Sequence, residues 1–327
     1  MKAWQVTQHG EPEEVLELAD IPRPDPGPGQ VLVRVLAAAA NFPDVLLCRG
    51  TYQVKVPMPF TLGVELCGAV VAVGPGVTSF SAGDRVIGDT ALPHGAFAEY
   101  ALMEASAALP APPALDDAEA APFYITYETC WVGLHRRARL RQGETLLVHA
   151  AAGGVGTGAV QLGKAAGALV IGVVGGPDKA MIAKEAGADI VIDRSEEDFV
   201  AVVKEVTGGK GADVIFDPVG GDVFRKSTKC VAFEGRILVV GFASGDIPQA
   251  ALNHALVKNY DILGLQARTY RFVDNAAIRD HYAALLRLTE TGAIKTMVTE
   301  RLTLAGVPDG LRRLGAGLTT GRVVFIP

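Results

Sequence analysis

The segment HAAAGGVGTGAVQ, residues 149–161, holds the small residues with the clearest chemical implication. Its spacing matches a G-x-G-x-x-G turn with alanine at the first position. Small residues there permit a tight turn, close approach of the backbone to a pyrophosphate, and close packing of helix on strand. A helix beginning near Val155 would direct its free N–H groups and the positive end of its dipole toward the phosphates. The residues predicted to bind the phosphates are Ala151, Gly153, Gly154, Val155 and Gly156.

Flanking sequence favours this interpretation over a flexible glycine-rich loop. An apolar strand candidate, TLLV, precedes the turn, and a helical pattern, AVQLGKAAG, follows it. Strand–turn–helix is the context in which a glycine-rich turn binds a dinucleotide.

The end of the second strand candidate indicates which dinucleotide binds. NAD sites usually carry an acidic residue there to bind the ribose 2′-hydroxyl, but this chain has Gly175 and Gly176. The next carboxylate, Asp178, is interpreted as a helix cap. Lys179 and Arg194 could neutralise a 2′-phosphate, which predicts NADPH rather than NADH. The alternative for each cation is a solvated surface position.

The elements around the turn predict an α/β fold. Short apolar strand candidates alternate with helical segments of mostly ten or more residues, which indicates a parallel sheet covered on both faces. Six strands make a complete doubly wound Rossmann sheet. They are TLLVHA, ALVIGVV, ADIVID, ADVIFD, GRILVVG and YDILGL.

A different sequence pattern precedes this region. From Val31 to about Tyr100, β-branched runs alternate with turn signals, which predicts a barrel-like β-domain. The tail from about Ala267 is too short to fold alone and is expected to return to that domain. The predicted division is a catalytic domain of residues 1–122 and 267–327 and a nucleotide-binding domain of residues 123–266.

Composition excludes several other classes of protein. A net charge of −6, without a cluster of Lys and Arg along the sequence, argues against a nucleic-acid partner. No apolar run approaches 18 residues and the start lacks a signal core, so we expect no membrane span and a cytoplasmic location. The four scattered cysteines indicate neither disulfides nor a zinc ribbon.

Several motifs together resemble the zinc-independent NADPH:quinone oxidoreductase family of the medium-chain dehydrogenase/reductase superfamily. The resemblance spans essentially the whole chain and implies a GroES-like catalytic domain. Its motifs are AAAGGVG, AANFPDVLLCRGTY, PFTLGVELCGAVVAVGPGV, FSAGDRV, FDPVGG, VVGFASGDIP and GRVVFIP.

The resemblance also allows each position of a catalytic zinc ligand to be compared with the residue in this chain. Zinc alcohol dehydrogenases place their catalytic ligands at positions equivalent to Asn41, Val64 and Ile125. None of these is a zinc ligand, so no metal is expected. Without zinc to polarise an alcohol or carbonyl oxygen, the expected acceptor is already electrophilic by conjugation, such as a quinone or an enone.

The family's functional positions imply further site residues. Asn41, Asp44 and Tyr52 are expected to face the active cleft, and Thr129 to hydrogen-bond near the nicotinamide. The Gly241–Phe242 backbone is expected beside the carboxamide, and Arg322 near the cofactor. Asn41 or Tyr52 could stabilise charge on the acceptor oxygen. The alternatives are that Tyr52 only lines the cleft and that Asp44 only holds its loop.

Two questions about substrate and assembly stay open in the sequence. The basic segment around Arg268, Tyr270 and Arg271 is either a determinant for an anionic acceptor, such as an enoyl-CoA thioester, or a solvated surface. A further alternative to both reductase functions is a low-turnover NADPH-binding protein.

The histidines form no recognisable catalytic pair and are interpreted as structural. Family precedent implies a homodimer joined at edge strands, with Tyr260–Leu265 as the last strand.

Overall fold

The computed structural model describes all residues from Met1 to Pro327, and they form two compact units. The first unit comprises Met1–Ile125 and Thr296–Pro327, and the second comprises Thr126–Lys295. The second boundary differs from the predicted one, because residues 267–295 belong to the nucleotide-binding unit. Helix Asn275–Glu290 is anchored there by a hydrogen bond between the side chains of His281 and Glu128. Only the tail from Thr296 returns to the first unit.

The first unit is built from β-strands with short helices at its periphery. One sheet has the strand order β2-β1-β4. The other has the order β15-β16-β3-β5-β6-β8, with β7 paired to β3. The strands are β1 (Lys2–Val6), β2 (Leu16–Asp20), β3 (Gln30–Ala39), β4 (Phe60–Thr61), β5 (Glu65–Val73), β6 (Arg85–Asp89), β7 (Tyr100–Glu104), β8 (Leu109–Pro110), β15 (Val298–Thr303) and β16 (Arg322–Ile326).

The core of this unit lies between its sheets and helices. Phe97 and Phe325 pack edge to face, with ring centroids 5.1 Å apart. The last strand of the chain therefore contributes to the same core cluster as Val6 of the first strand. Antiparallel pairing of β16 with β3 fixes the position of that last strand. The helices of the unit are α1 (Pro12–Val15), α2 (Phe42–Cys48), α3 (Asp117–Ala120) and α12 (Val307–Gly315).

The second unit contains a six-stranded, fully parallel sheet with the order β11-β10-β9-β12-β13-β14. In this doubly wound order, β10 and β11 are added on one side of β9, and β12 to β14 are added on the other side. The predicted fold class is confirmed. The strands are β9 (Thr145–His149), β10 (Leu169–Val174), β11 (Ile190–Asp193), β12 (Ala212–Asp217), β13 (Val231–Val239) and β14 (Asp261–Gly264).

Helices cover this sheet, and a cluster of buried apolar side chains that includes Leu147, Ile171 and Ile215 fills the space beneath them. None of the helices combines the length and apolar character that crossing a membrane requires. They are α4 (Phe123–Trp131), α5 (Gly154–Ala165), α6 (Pro177–Glu185), α7 (Phe199–Val206), α8 (Gly221–Ser227), α9 (Leu252–Lys258), α10 (Tyr270–Val273) and α11 (Asn275–Glu290).

Candidate functional site

The predicted phosphate turn lies between β9 and α5. Ala150 has a positive φ of 50°, and its carbonyl oxygen accepts the Gly153 N–H at 2.9 Å. A Cβ on Gly156 would overlap that same carbonyl, so only glycine fits there. Opposite the turn, a Cβ on Gly172 would lie 2.9 Å from the Ala151 Cβ, and the alanine at the first motif position is therefore tightly packed.

The start of α5 provides the anion-binding end of this turn. Gly153 is the N-cap with an extended backbone and no side chain to cover the first turn of the helix. The early N–H groups of a helix have no partner within it, and their dipoles favour a negative charge. The geometry therefore fits a pyrophosphate.

At the end of β10, Arg194 lies against Gly175. A Cβ built on Gly175 would be 3.2 Å from Nε of Arg194, so a larger residue would displace the guanidinium. Lys179 lies in the first turn of α6 and is half-buried. The structure thus keeps a cation at the position where NAD-specific sites carry a carboxylate.

Two carboxylates lie near this strand end, Asp178 and Asp193, and the structure corrects the role predicted for the first. Asp178 does not cap α6, because Gly176 is the N-cap and Asp178 lies one residue inside the helix. Asp193, which sequence analysis missed, accepts hydrogen bonds from Gly176 N at 2.9 Å and Ser195 Oγ at 2.6 Å. These bonds, with that of the Ser195 N–H, lower the pKa of Asp193. Asp193 thereby holds the loop that carries Arg194.

The Gly241–Phe242 segment lies just after β13, at the carboxyl end of the parallel strands, where the phosphate turn also lies. Asp217, at the end of β12, accepts from Val219 N at 2.8 Å and Gly220 N at 3.0 Å, while its backbone carbonyl accepts the Val240 N–H at 2.9 Å. Asp217 thus joins the two loops. Burial raises its pKa.

The predicted residue Thr129 is half-buried on α4. Its neighbour Glu128 is buried and is paired with His281 Nδ1 at 2.9 Å. Burial raises the pKa of Glu128. Sequence analysis recognised no partner for His281, because 153 residues separate the two side chains.

His149 fits its structural interpretation. Its ring is buried and contacts Ser227 Oγ at 2.8 Å, and burial lowers its pKa to about 3. It is therefore neutral at physiological pH.

In the first unit, Asn41, Asp44, Glu65 and Arg322 form a buried polar network. Asn41 Nδ2 donates to Glu65 Oε2 at 3.0 Å and to Ala39 O at 3.2 Å. Arg322 Nη2 donates to Asn41 Oδ1 at 2.9 Å and to Glu65 Oε2 at 3.0 Å. Both N–H groups of the Asn41 amide are consequently occupied within the protein.

The other two positions at which zinc enzymes carry ligands join the same network through their backbones. Val64 N donates to Asp44 Oδ1 at 3.1 Å, and Ile125 N donates to Glu65 Oε1 at 2.6 Å. Asp44 also accepts the Asn41 N–H at 2.8 Å. All three positions are therefore tied to two buried carboxylates, Val64 and Ile125 through their backbone N–H groups and Asn41 through its side chain as well.

The guanidinium of Arg322 donates to Glu65 and acts on Asp44 through its charge. Burial raises the pKa of Asp44 to about 7 and that of Glu65 to about 7, and the mutual repulsion of the two groups adds to the shift at Asp44. Glu65 lies in the GVE motif but was not assigned a role from sequence. A single carboxylate within the apolar run LGVELCG was the signal that could have identified it.

These contacts change how several predicted residues are interpreted. Asp44 holds its loop, as the structural alternative proposed. Arg322 is buried against Asn41 and Glu65, and its contact with a cofactor stays a prediction. Tyr52 is half-buried beside the core of the first unit. Arg49, on the same loop, forms an ion pair with Glu11 at 2.8 Å.

The basic segment is partly held by aromatic contacts in the second unit. Arg136 stacks on the Tyr270 ring at 4.6 Å and pairs with Asp274 at 2.9 Å. Arg271 lies over Phe272 at 5.4 Å. Phe272 is 77% exposed, so the segment presents an aromatic as well as a basic surface.

Known proteins share this architecture over the whole chain. A family model described as an alcohol dehydrogenase GroES-like domain matches residues 27–113, and one described as a zinc-binding dehydrogenase matches residues 154–288. A quinone oxidoreductase-like protein 2 homolog from Nematostella vectensis is 39% identical over 301 residues, covering 91% of this chain and 82% of that protein.

Solved structures of related proteins also match this chain over its whole length. Escherichia coli quinone oxidoreductase complexed with NADPH has a TM-score of 0.93 and 32% identity, covering 100% of both chains. The CurF ER cyclopropanase of the curacin A biosynthetic pathway has a TM-score of 0.87 and 27% identity, covering 99% of this chain and 98% of that one.

The two units and the glycine turn define a medium-chain dehydrogenase/reductase. Within that superfamily the chain belongs to the zinc-independent, quinone-oxidoreductase-type family. The "zinc-binding" description belongs to the family model. At the three positions that sequence analysis equates with zinc ligands, this chain has Asn41, Val64 and Ile125.

Proposed function

We propose that this protein is an NADPH-dependent reductase that transfers a hydride to a quinone or an α,β-unsaturated carbonyl compound without a metal. The observation that carries the proposal is the set of side chains at three positions. The Asn41 amide is hydrogen-bonded to Glu65 and Arg322, and Val64 and Ile125 carry hydrocarbon side chains that bind no metal. A site without a Lewis acid suits an acceptor that conjugation has already made electrophilic.

The cofactor assignment rests on the second unit and on the E. coli relative. NADPH supplies the hydride, while the protein supplies binding and orientation. The turn from Ala151 to Gly156 and the start of α5 bind the pyrophosphate. Lys179 and Arg194 bind the 2′-phosphate, and the Gly241–Phe242 backbone and Thr129 orient the nicotinamide.

The acceptor oxygen gains negative charge during reduction and needs a hydrogen-bond donor. Because both N–H groups of the Asn41 amide are occupied, we assign the donor role to the Tyr52 hydroxyl. Asn41, Asp44 and Arg322 then act as positioning residues that hold the loop leading to Tyr52. The proton reaches the reduced acceptor from Tyr52 or from water.

Steady-state oxidation of NADPH with para-benzoquinone, phenanthrenequinone and a set of enones tests this function. We expect turnover that a chelator leaves unchanged, and a lower kcat for Tyr52→Phe with unaltered NADPH binding. Tight NADPH binding without turnover on any acceptor would instead indicate the low-turnover NADPH-binding protein.

An enoyl-thioester reductase is a second candidate. The basic surface at Arg268 and Arg271 could attract an anionic acceptor, and one structural relative is an ER cyclopropanase. Crotonyl-CoA and acrylyl-CoA in the same assay separate the two candidates. A kcat/KM for these thioesters well above that for quinones would favour the second.

We also propose a homodimer that forms at the free edge of the parallel sheet. β14 is the last strand, and Leu252 and Leu256 of the adjacent α9 are 75% and 76% exposed. Unpaired strand edges beside exposed apolar side chains are typical of association sites. The cytoplasmic location inferred from sequence stays a prediction.

A further inference from the structure

A pocket lies at the end of the parallel sheet opposite to the phosphate turn. It is formed where the chain enters β12, β13 and β14, whereas the turn follows the end of β9. Its volume is about 340 Å³, within the usual range for small-ligand pockets of ~300–1,000 Å³. The side chains used below are those of Lys204, Lys210, Lys229, Lys258 and Phe233.

Positive charge dominates the lining of this pocket. Four lysines come from three separate connections of the sheet, and only Lys210 has a carboxylate partner, Asp213 at 2.8 Å. No carboxylate lies within ion-pair distance of Lys204, Lys229 or Lys258. This concentration of positive charge is unusual in a chain whose net charge is −6.

Lys258 is held in place rather than extended into water. Its Nζ donates to the carbonyl of Thr228 at 2.9 Å. Burial, together with the nearby charge of Lys204, lowers the pKa of Lys258. Two ammonium groups that repel each other across a pocket gain stability when an anion lies between them.

One wall of the pocket is aromatic. Phe233 is 69% exposed, although an exposed large aromatic side chain gains little from contact with water alone. Gly209 and Gly211 form another part of the lining, with φ of 86° and 88°. They add no side chains, and so the space beside the lysines stays open.

We propose that this pocket binds an organic phosphate with a planar body, its phosphate between Lys204, Lys229 and Lys258 and its ring against Phe233. Lysine ammonium groups bind phosphate as point charges, and an aromatic face stacks on a planar ring. The site is separate from the residues assigned to hydride transfer and goes beyond the proposed reductase function.

Isothermal titration calorimetry with 1-naphthyl phosphate tests the proposal, using protein saturated with NADPH so that the dinucleotide turn is filled. We expect saturable binding at low ionic strength that weakens as salt rises. Inorganic phosphate should bind more weakly, and 1-naphthol should not bind measurably. No saturable binding of 1-naphthyl phosphate would overturn the proposal.

Variants locate the binding. The double variant Lys204→Ala/Lys229→Ala should weaken 1-naphthyl phosphate at least about tenfold, because two charge-assisted contacts are lost. Phe233→Ala should weaken 1-naphthyl phosphate but not inorganic phosphate. Lys184→Ala, an exposed lysine on α6, is the matched control. Equal affinity in the double variant and this control would refute the assignment.

NADPH binding by each variant, followed by cofactor fluorescence, provides an independent check that the unit is folded. This readout needs no turnover. Failure of the phosphate site is therefore distinguishable from failure of the proposed reductase activity.

Discussion

At the scale of single residues, Gly175 leaves room for the guanidinium of Arg194 because it has no side chain. The guanidinium of Arg194 lies where a larger residue at 175 would extend, and Asp193 fixes the adjacent backbone through Gly176 and Ser195. An acidic side chain at 175 would repel a 2′-phosphate and displace Arg194 at the same time. Preference for NADPH is thus expected from the combined effect of a glycine and a nearby cation.

The first prediction concerns these cations. Lys179→Ala and Arg194→Ala should each raise the KM for NADPH about tenfold, since a charge-assisted hydrogen bond contributes ~1.5–3 kcal/mol. The KM for NADH should hardly change, because NADH has no 2′-phosphate. Steady-state kinetics with both cofactors measures the effect, and Lys184→Ala is the control. An equal rise for NADH would mean that the 2′-phosphate lies elsewhere.

At the scale of secondary structure, the connection from α8 to β13 shows where local sequence and the sheet disagree. The pattern DVFRKSTKCVA predicts a helix through Ala232, whereas α8 ends at Ser227 and β13 begins at Val231. Val231 pairs with Ala212 of β12. Parallel pairing with a distant strand therefore overrides the local helical preference, and this change of direction forms one wall of the lysine pocket.

The free edge at β14 is the second feature at this scale. None of the residues of α9 is buried, which is unusual for a helix with three large apolar side chains. A helix of this kind is expected to pack against another surface. A second copy of the chain is the occupant we propose.

The second prediction tests that edge. Leu256→Glu should shift the species in solution from twice the 34.2 kDa chain mass toward the monomer, because a buried charge at the interface is costly. Light scattering coupled to gel filtration measures the mass. Leu18→Glu, at a half-exposed apolar position on β2, should leave it unchanged. A wild-type monomer would contradict the proposed dimer.

At the scale of the whole molecule, the buried network joins distant parts of the chain. Arg322 is 281 residues from Asn41 and 257 from Glu65, so it ties the last strand to the N-terminal part of its unit. Breaking a buried ion pair on one side costs about 3–5 kcal/mol. The network therefore contributes to global stability as well as to the loop that carries Tyr52.

Stability should depend on pH through this network. The pKa values of Asp44 and Glu65 are raised to about 7 by burial, above their values in the unfolded chain, so folding takes up protons. Their contribution is complete below about pH 4 and is lost as the pH rises through about 7. Asp44→Asn removes one of these protonation steps and relieves the repulsion on the other.

The third prediction follows from that sign. The difference in free energy of unfolding between wild type and Asp44→Asn should shrink between about pH 5 and pH 8. Denaturant titrations at several pH values measure it. Asp222→Asn, which makes the same change at an exposed carboxylate of α8, is the matched control. A gap that widens with pH would mean that Asp44 is stabilised as the anion.

Local sequence by itself determined the parallel sheet, the phosphate turn and the absence of zinc ligand types at Asn41, Val64 and Ile125. These features depend on residue type, spacing and the periodicity of apolar side chains, all of which are local. Only the tertiary structure decided that Glu65 accepts one N–H of the Asn41 amide while Arg322 donates to its carbonyl oxygen. It also decided that His281 contacts Glu128 and that four lysines from three connections surround one pocket. Such contacts join residues far apart in the chain, and no local pattern encodes the direction in which each side chain points.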